Sequence, residues 1–164
     1  MNNLDINRIN NDSPYDVSYN TNGAYLFVSD YGVRYAVTFD DGENPFFTAY
    51  WFNLTNLENK TSPGDKKVAQ TIICIIEEFF RKNPDILLYM CSTEGGLQAQ
   101  RARLFLRWFN GAKQREQYVI RTNEVRGENR NEYVAMIVQR NNPLLDDIIR
   151  RYESDVAMFN ELKP

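Results

Sequence analysis

The feature that most constrains the fold is a change in hydrophobic spacing near the middle of the chain. Over Lys66–Lys82 the apolar side chains recur every three or four residues, which predicts an amphipathic helix. Asn83 and Pro84 end that helix, and residues 86–91 form a continuous apolar run typical of a strand covered on both faces. A helix that joins two strands allows them to pair in parallel. We therefore predict that residues 86–91 lie in the middle of a sheet.

The rest of the chain adds short strands and two further helices. Alternating apolar residues from Tyr15 to Tyr19 predict a half-buried strand, and similar patterns mark a strand meander before the central helix. The predicted meander strands are residues 24–28, 34–39 and 46–54. A helix at 97–110, a hairpin of 118–125 with 133–139, and a last helix from Asn142-Pro143 follow.

These elements predict an α+β fold with a mixed, mostly antiparallel sheet of about seven strands and three helices. A chain of 164 residues is long enough to bury a core without disulfides or metals. Residues 14–164 are therefore expected to form a single α+β domain. Residues 1–13 are polar and show no periodicity, so we expect them to be a flexible N-terminal arm.

The chain contains no histidine and two cysteines, and these counts exclude several kinds of active site. Ser-His-Asp triads and Cys-His pairs cannot form, nor can zinc sites with histidine ligands, and an all-cysteine zinc site needs four cysteines. We predict no catalytic residues and no metal site, and we lean against an enzyme. General acid–base chemistry, if present, would fall to Glu, Asp, Tyr, Lys or Cys side chains, or to water.

The hydropathy pattern favours a cytoplasmic protein with no membrane partner. No apolar run approaches the roughly 18 residues that a membrane-spanning helix needs. The polar N-terminus lacks the basic and then apolar pattern of a signal peptide. Two cysteines in apolar surroundings are typical of a reducing compartment.

The candidate binding residues are mostly basic. Residues 98–130 contain eight basic and three acidic side chains, which could contact phosphate, nucleic acid or an acidic protein surface. The alternative is a solvated helix face with ion pairs to the acidic first half of the chain. The candidates in this stretch are Arg101, Arg103, Arg107 and Arg115, and those elsewhere are Lys60, Lys66, Lys67, Trp51 and Tyr89.

From Phe46 onward the predicted order resembles the GNAT-type N-acetyltransferase fold. The resemblance rests on the strand at 86–91, on Trp108-Phe109 in the following helix, and on the closing strand with Met136. It implies acetyl-CoA as a cofactor, with its pyrophosphate at the start of the Lys66–Lys82 helix. Through Cys91 at the end of the 86–91 strand, and through Arg101, Arg103, Phe105, Trp108 and Phe109 in the following helix, the chain is also similar to a family of short uncharacterised proteins from Bacteroides-type bacteria. That resemblance brings no known activity.

The chain departs from the acetyltransferase pattern where the chemistry would lie. The pyrophosphate loop of that family is rich in glycine, whereas residues 60–66 contain one glycine, and Pro63 and Asp65 stand among them. The tyrosine that often serves as the general acid aligns with Phe105, which has no proton to donate.

We therefore expect a non-catalytic binding or protein-interaction domain on an acetyltransferase-like scaffold. Its surfaces would be the arginine-bearing helix at 97–110 and a cleft between residues 46–54 and 86–91, and its partner another protein or a second copy. One alternative is an acyl-CoA-dependent N-acyltransferase that uses acetyl-CoA, with water or Tyr89 as the acid. The other is nucleic-acid binding through residues 98–130.

Overall fold

The computed structural model describes residues 1–90, 107–112, 115–125 and 132–162. Within these residues it contains three long or medium helices and seven strands, and the fold class is α+β as predicted. The helices are α1 (Ile6–Asp12), α2 (Lys66–Lys82) and α3 (Leu145–Leu162). The strands are β1 (Ser18–Tyr19), β2 (Tyr25–Val28), β3 (Arg34–Asp41), β4 (Ala49–Asn56), β5 (Ile86–Met90), β6 (Tyr118–Val125) and β7 (Glu132–Gln139).

The strands form one mixed sheet in the order β1-β2-β3-β4-β5-β7-β6. The predicted central position of β5 is confirmed, because β5 lies between β4 and β7. Ile86 N–H donates to the carbonyl of Thr48, 3.1 Å away, just before β4 begins. On its other side β5 is antiparallel to β7, where Leu87 faces Ile137 and each of these side chains is fully buried. Helix α2 is therefore the connection that delivers β5 to the interior of the sheet.

Helix α2 has the bounds that its apolar spacing predicts. Asp65 is its N-cap, and its last basic residues complement the negative end of the helix dipole. Asn83 is its C-cap, and Asn83 N–H donates to the carbonyl of Phe79 at 2.8 Å. Phe79 is fully buried and its ring stacks on Phe39 at a centroid distance of 5.0 Å. The predicted apolar stripe is thus the face that packs against strand side chains.

The chain divides into two compact units. The first comprises Met1–Asp40 with Phe52–Pro84, and the second comprises Asp41–Trp51 with Asp85–Pro164. The first has an aromatic core that includes Tyr25, Phe27, Phe39, Phe52 and Phe79. The second has an aliphatic core that includes Ile86, Val119, Met136, Val138 and Ile148. The single domain expected over 14–164 stays a prediction.

The N-terminal residues differ from the expected flexible arm. Residues 6–12 form helix α1, and Leu4 and Ile9 are buried. The Asp5 side chain caps α1, and Leu4 N–H donates to the Tyr25 hydroxyl at 3.3 Å. A helix of seven residues with so few apolar positions shows no detectable period, and tertiary contacts rather than intrinsic propensity stabilise it.

Strand β1 is shorter than its pattern predicts, and β4 begins later in the chain than predicted. In both places a side chain, rather than a neighbouring strand, forms hydrogen bonds with the backbone. Tyr15 and Val17 are buried as expected, but the Asn10 side chain bonds the N–H and the carbonyl of Val17, so β1 is only Ser18–Tyr19. Strand β4 begins at Ala49 rather than at residue 46. The Asn44 side chain accepts the N–H groups of residues 46 and 47 and holds a turn there.

The second hairpin and the last helix agree with prediction. Strand β6 pairs with β7 along its whole length, from Tyr118 opposite Gln139 to Val125 opposite Glu132. The chain enters α3 through Asn142, whose side chain accepts the N–H of Leu144 at 2.9 Å. The predicted helix at 97–110 falls mostly outside the described residues, but residues 107–110 are helical.

Candidate functional site

The acetyltransferase resemblance places a phosphate at the start of α2. In this chain the Asp65 carboxylate caps the helix at that position. Asp65 Oδ1 accepts the N–H of Lys67 at 2.9 Å, and Asp65 Oδ2 accepts the Tyr15 hydroxyl at 2.5 Å. Tyr15 Oη in turn accepts the N–H of Asp30 at 3.1 Å. The Asp30 carboxylate then pairs with Lys67 Nζ at 2.9 Å. We call Tyr15, Asp30, Asp65 and Lys67 the cap cluster.

The electrostatics of the cap cluster keep the Tyr15 hydroxyl and the Lys67 ammonium group protonated at neutral pH. Burial raises the pKa of Tyr15, the Asp30 N–H lowers it, and Asp65 raises it further, so the hydroxyl remains a donor. The ion pair with Asp30 raises the pKa of Lys67, which therefore keeps its charge. Lys67 Nζ also lies 5.6 Å from the centroid of the Tyr15 ring, where the ring face attracts a cation.

The three lysines predicted to help bind an anion are only partly available. Lys67 is paired within the cap cluster, and Lys60 Nζ lies 2.7 Å from Glu58 Oε2. Lys60 and then Arg34 lower the pKa of Glu58, whose carboxylate accepts from each of them. Lys66 is exposed. The structure therefore places two of these three cations beside carboxylates of the chain.

The predicted arginines and aromatic residues lie in the second unit. Arg107 and Arg115 are exposed and make no ion pair in the part of the chain that the structure describes. Arg101 and Arg103 lie outside the described residues. Trp51 and Tyr89 are half-buried.

A groove that the sequence did not indicate lies in the first unit, with a volume of about 530 Å³. Its apolar lining includes Val28 and Leu57, whose side chains are 53% and 47% exposed. Its charged lining residues are Asp16 and Arg34. We call it the Val28 groove. The sequence signal for it was an apolar residue at the end of one strand and another just after a second strand, and single exposed apolar residues are too common on protein surfaces to be diagnostic.

A shallower depression of about 400 Å³ in the second unit involves the turn before β4 and helix α3. Phe46 is 55% exposed there, and the Arg151 guanidinium lies 3.4 Å from the centroid of its ring. The chain thus covers this ring with its own cation, and two other charged lining residues, Asp147 and Arg150, are paired with each other.

The groups that could act in catalysis are few among the described residues. Burial raises the pKa of Cys74 to about 11, so its thiol is protonated at neutral pH and is a poor nucleophile. The described ranges contain no group of three or more Cys, Asp and Glu side chains placed to hold a metal ion. None of the helices within those ranges is long and apolar enough to cross a membrane.

The architecture is that of an α+β protein with one mixed sheet in which helix α2 connects β4 to β5. The chain belongs to a protein family of unknown function, DUF6169, whose family model matches residues 64–154. The match begins next to the Asp65 cap and includes α2, β5, the second hairpin and the first half of α3. No curated protein and no solved structure matches the chain.

Proposed function

We propose that this chain is a non-catalytic binding domain that contacts another protein and is built on an acetyltransferase-like scaffold. The element order supports the scaffold: β4, the crossover helix α2, the central strand β5 and a closing hairpin occur in the sequence that the resemblance implies. The cytoplasm of a bacterium is the compartment we propose for it.

The observation that carries the non-catalytic assignment is the Asp65 carboxylate at the N-terminus of α2. In an acyl-CoA enzyme the free N–H groups and the positive dipole end of this helix would receive pyrophosphate. Here the Asp65 carboxylate accepts hydrogen bonds from the N–H of Lys67 and from the Tyr15 hydroxyl. A phosphate would have to displace a carboxylate that two hydrogen bonds fix in place, and would meet its charge if it stayed.

Two of the three lysines that could offset this repulsion are already engaged. Lys67 is held by Asp30 at 2.9 Å and Lys60 by Glu58 at 2.7 Å. Exposed ion pairs of this kind contribute little to stability, so they could be broken. Binding of acetyl-CoA would nevertheless have to break both ion pairs and overcome repulsion from the Asp65 carboxylate. This favours the interpretation that acetyl-CoA is not a ligand.

The test is thermal unfolding of the full chain with acetyl-CoA. A ligand present at 100 times its Kd would stabilise the folded state by about 2.7 kcal/mol, which is easily measured as a rise in Tm. We expect no rise. A rise, together with acetyl transfer to amine substrates, would contradict the proposal and favour the acyltransferase alternative. Asp65→Asn is the informative variant, because asparagine keeps the helix cap and removes the charge.

The protein-binding surface that we propose includes Arg107 and Arg115, which are exposed basic positions without an ion pair among the described residues. Replacing Arg107 with glutamate reverses the charge and should prevent capture of the partner in a pull-down, whereas Arg150→Glu in α3 serves as the control. A partner retained by the Arg107→Glu chain would contradict this surface. Binding to nucleic acid that weakens steeply with salt would instead favour the nucleic-acid alternative.

A further inference from the structure

We propose that the Val28 groove binds the C-terminal end of an extended peptide, with an apolar last side chain in the groove and the terminal carboxylate on Arg34. This inference names the partner chemistry of the binding function proposed above and rests on that function. It depends on three features of the first unit: an open backbone position, a pair of exposed apolar side chains, and a guanidinium with free donors.

The open backbone position is at Val28, because β1 stops before β2 does. The β1–β2 ladder ends where Ser18 faces Leu26, two residues short of Val28. Ser29 N–H donates to the carbonyl of Val33, so Ser29 points its backbone N–H toward β3. In an antiparallel ladder successive residues point these groups to opposite sides, so the N–H and the carbonyl of Val28 point toward the β1 side. In the described part of the chain these two groups have no hydrogen-bond partner. They can therefore pair with one residue of an added extended strand.

The apolar side chains lie beside this position. Val28 and Leu57 are about half exposed, and with Leu26 and Tyr35 they line the groove of about 530 Å³. That volume is within the range of roughly 300–1,000 Å³ that ligand-binding cavities occupy. Single exposed apolar residues need no explanation, but two that line the same cavity beside an open backbone position favour an apolar side chain as its occupant.

Arg34 provides the charge that selects a carboxylate. It faces Val28 across the β2–β3 ladder as a pair without direct hydrogen bonds, so the two Cα atoms are about 4.5 Å apart and the side chains share a face. Its Nε donates to Glu58 at 2.6 Å, and its two terminal nitrogens have no partner among the described residues. Glu58 is shared with Lys60, so the three side chains together carry one positive charge. Two free guanidinium nitrogens match the geometry of a carboxylate.

Asp16 decides which carboxylate the groove takes. It is exposed and lines the same groove, so its negative charge disfavours acidic residues along the bound segment. A terminal carboxylate on an otherwise neutral or basic peptide avoids that repulsion, because it meets Arg34 at the end of the segment. We therefore assign the carboxylate to the peptide terminus rather than to an acidic side chain.

The first experiment is a titration of the ¹⁵N-labelled full chain with short peptides of Gly and Ser that end in Val, Leu, Ile, Phe or Tyr. Each peptide is used with a free carboxylate and as its amide. We expect saturable shifts of the amide resonances of Leu26, Val28 and Arg34 with the free acids, and at least tenfold weaker binding of the amides. Equal binding of the amides, or no binding of any free acid up to about 1 mM, would overturn the proposal.

The second experiment uses variants with the best of these peptides. Arg34→Met keeps the aliphatic stem and removes the charge, and Leu57→Asp changes the apolar lining; each should weaken binding at least tenfold. Arg150→Met, at an exposed arginine of the second unit that belongs to neither proposed surface, should bind as the unmodified chain does. Unchanged binding by Arg34→Met would also overturn the proposal. Acetyl-CoA does not enter this assay, so failure here leaves the non-catalytic assignment to be decided by its own test.

Discussion

Glu77 and Glu78 are adjacent in α2, but their carboxylates have different partners and different degrees of burial. The Glu78 side chain is 4% exposed and accepts three hydrogen bonds from Arg81, while Arg8 of α1 lies 3.8 Å away. Glu77 has no such partner among the residues that the structure describes, and it is half-buried near Asp12 and Cys74. Adjacent positions on a helix point in diverging directions, so the two carboxylates meet different surroundings.

Removing the Glu78 carboxylate should destabilise the protein. Glu78→Ala eliminates a charged acceptor that is buried and bonded to Arg81, and we expect a loss of about 1–3 kcal/mol in the free energy of unfolding. The loss stays below that of a fully buried ion pair because Arg81 is 39% exposed and can turn to water. Urea unfolding measures it. Glu153→Ala on the exposed part of α3 is the control, and a loss as small as the control's would contradict the assignment.

Glu77 should have the opposite effect on stability, and the effect should depend on pH. Burial, and then the Asp12 charge, raise the pKa of Glu77 above its ordinary value of 4.5, so the folded state favours the protonated form. The ionised side chain therefore opposes folding, and its penalty develops as pH rises from below 4.5 through the raised folded value.

We accordingly expect Glu77→Gln to be more stable than the unmodified chain at pH 7, by up to about 0.5 kcal/mol, and equally stable well below pH 4.5. Urea midpoints at the two pH values test this. Asp12→Asn should change stability in the same direction, since it removes the like charge from the other helix. A difference that does not vary with pH would contradict this origin.

At the scale of elements, helix α1 is stabilised by tertiary contacts. Ile9 is 1% exposed, Asn10 bonds the backbone of Val17, and Asn2 bonds the end of α2 at Asn83 and Lys82. Isolated helices of this length are marginal in water, so the burial of Ile9 and these polar contacts must hold α1 in place.

Ile9→Ala should therefore cost about 2–4 kcal/mol, the range for a large aliphatic residue removed from a core. Hydrogen exchange should localise part of the effect to α1, with the amides of Ile9 and Ser13 losing protection first. Ile6→Ala at an incompletely buried position of the same helix is the matched control. If Ile9→Ala leaves the free energy of unfolding unchanged, the result would favour the flexible arm that the sequence suggested.

At the scale of the whole molecule, strand β4 belongs to both compact units, since the division falls between Trp51 and Phe52. Neither unit contains all of this strand. We expect the chain to unfold in a single calorimetric transition in which the van't Hoff and calorimetric enthalpies agree. Two resolved transitions would contradict the single domain predicted for 14–164.

Local pattern was enough to predict most of the sheet and its central helix. The bounds of α2 and the hairpin at 118–125 follow from the periods of 3.6 and 2 residues that buried faces impose. The position of β5 followed from its continuous apolar run, because only a strand covered on both faces tolerates such a run. The absence of histidine likewise excludes whole classes of active site from the sequence alone.

The features closest to function came only from tertiary structure. The cap cluster joins residues 15, 30, 65 and 67, and the Val28 groove joins β2, β3 and Leu57, so neither has a local signature in the chain. The spacing of apolar residues indicates which face of a helix or strand is buried. It does not indicate which polar side chains, distant in the sequence, form hydrogen bonds or ion pairs with each other. The sequence by itself thus determined most of the elements and their buried faces. The folded chain decided that helix α1 forms, that a carboxylate caps the start of α2, and that Val28 has no partner on the β1 side among the described residues, because those outcomes depend on long-range contacts.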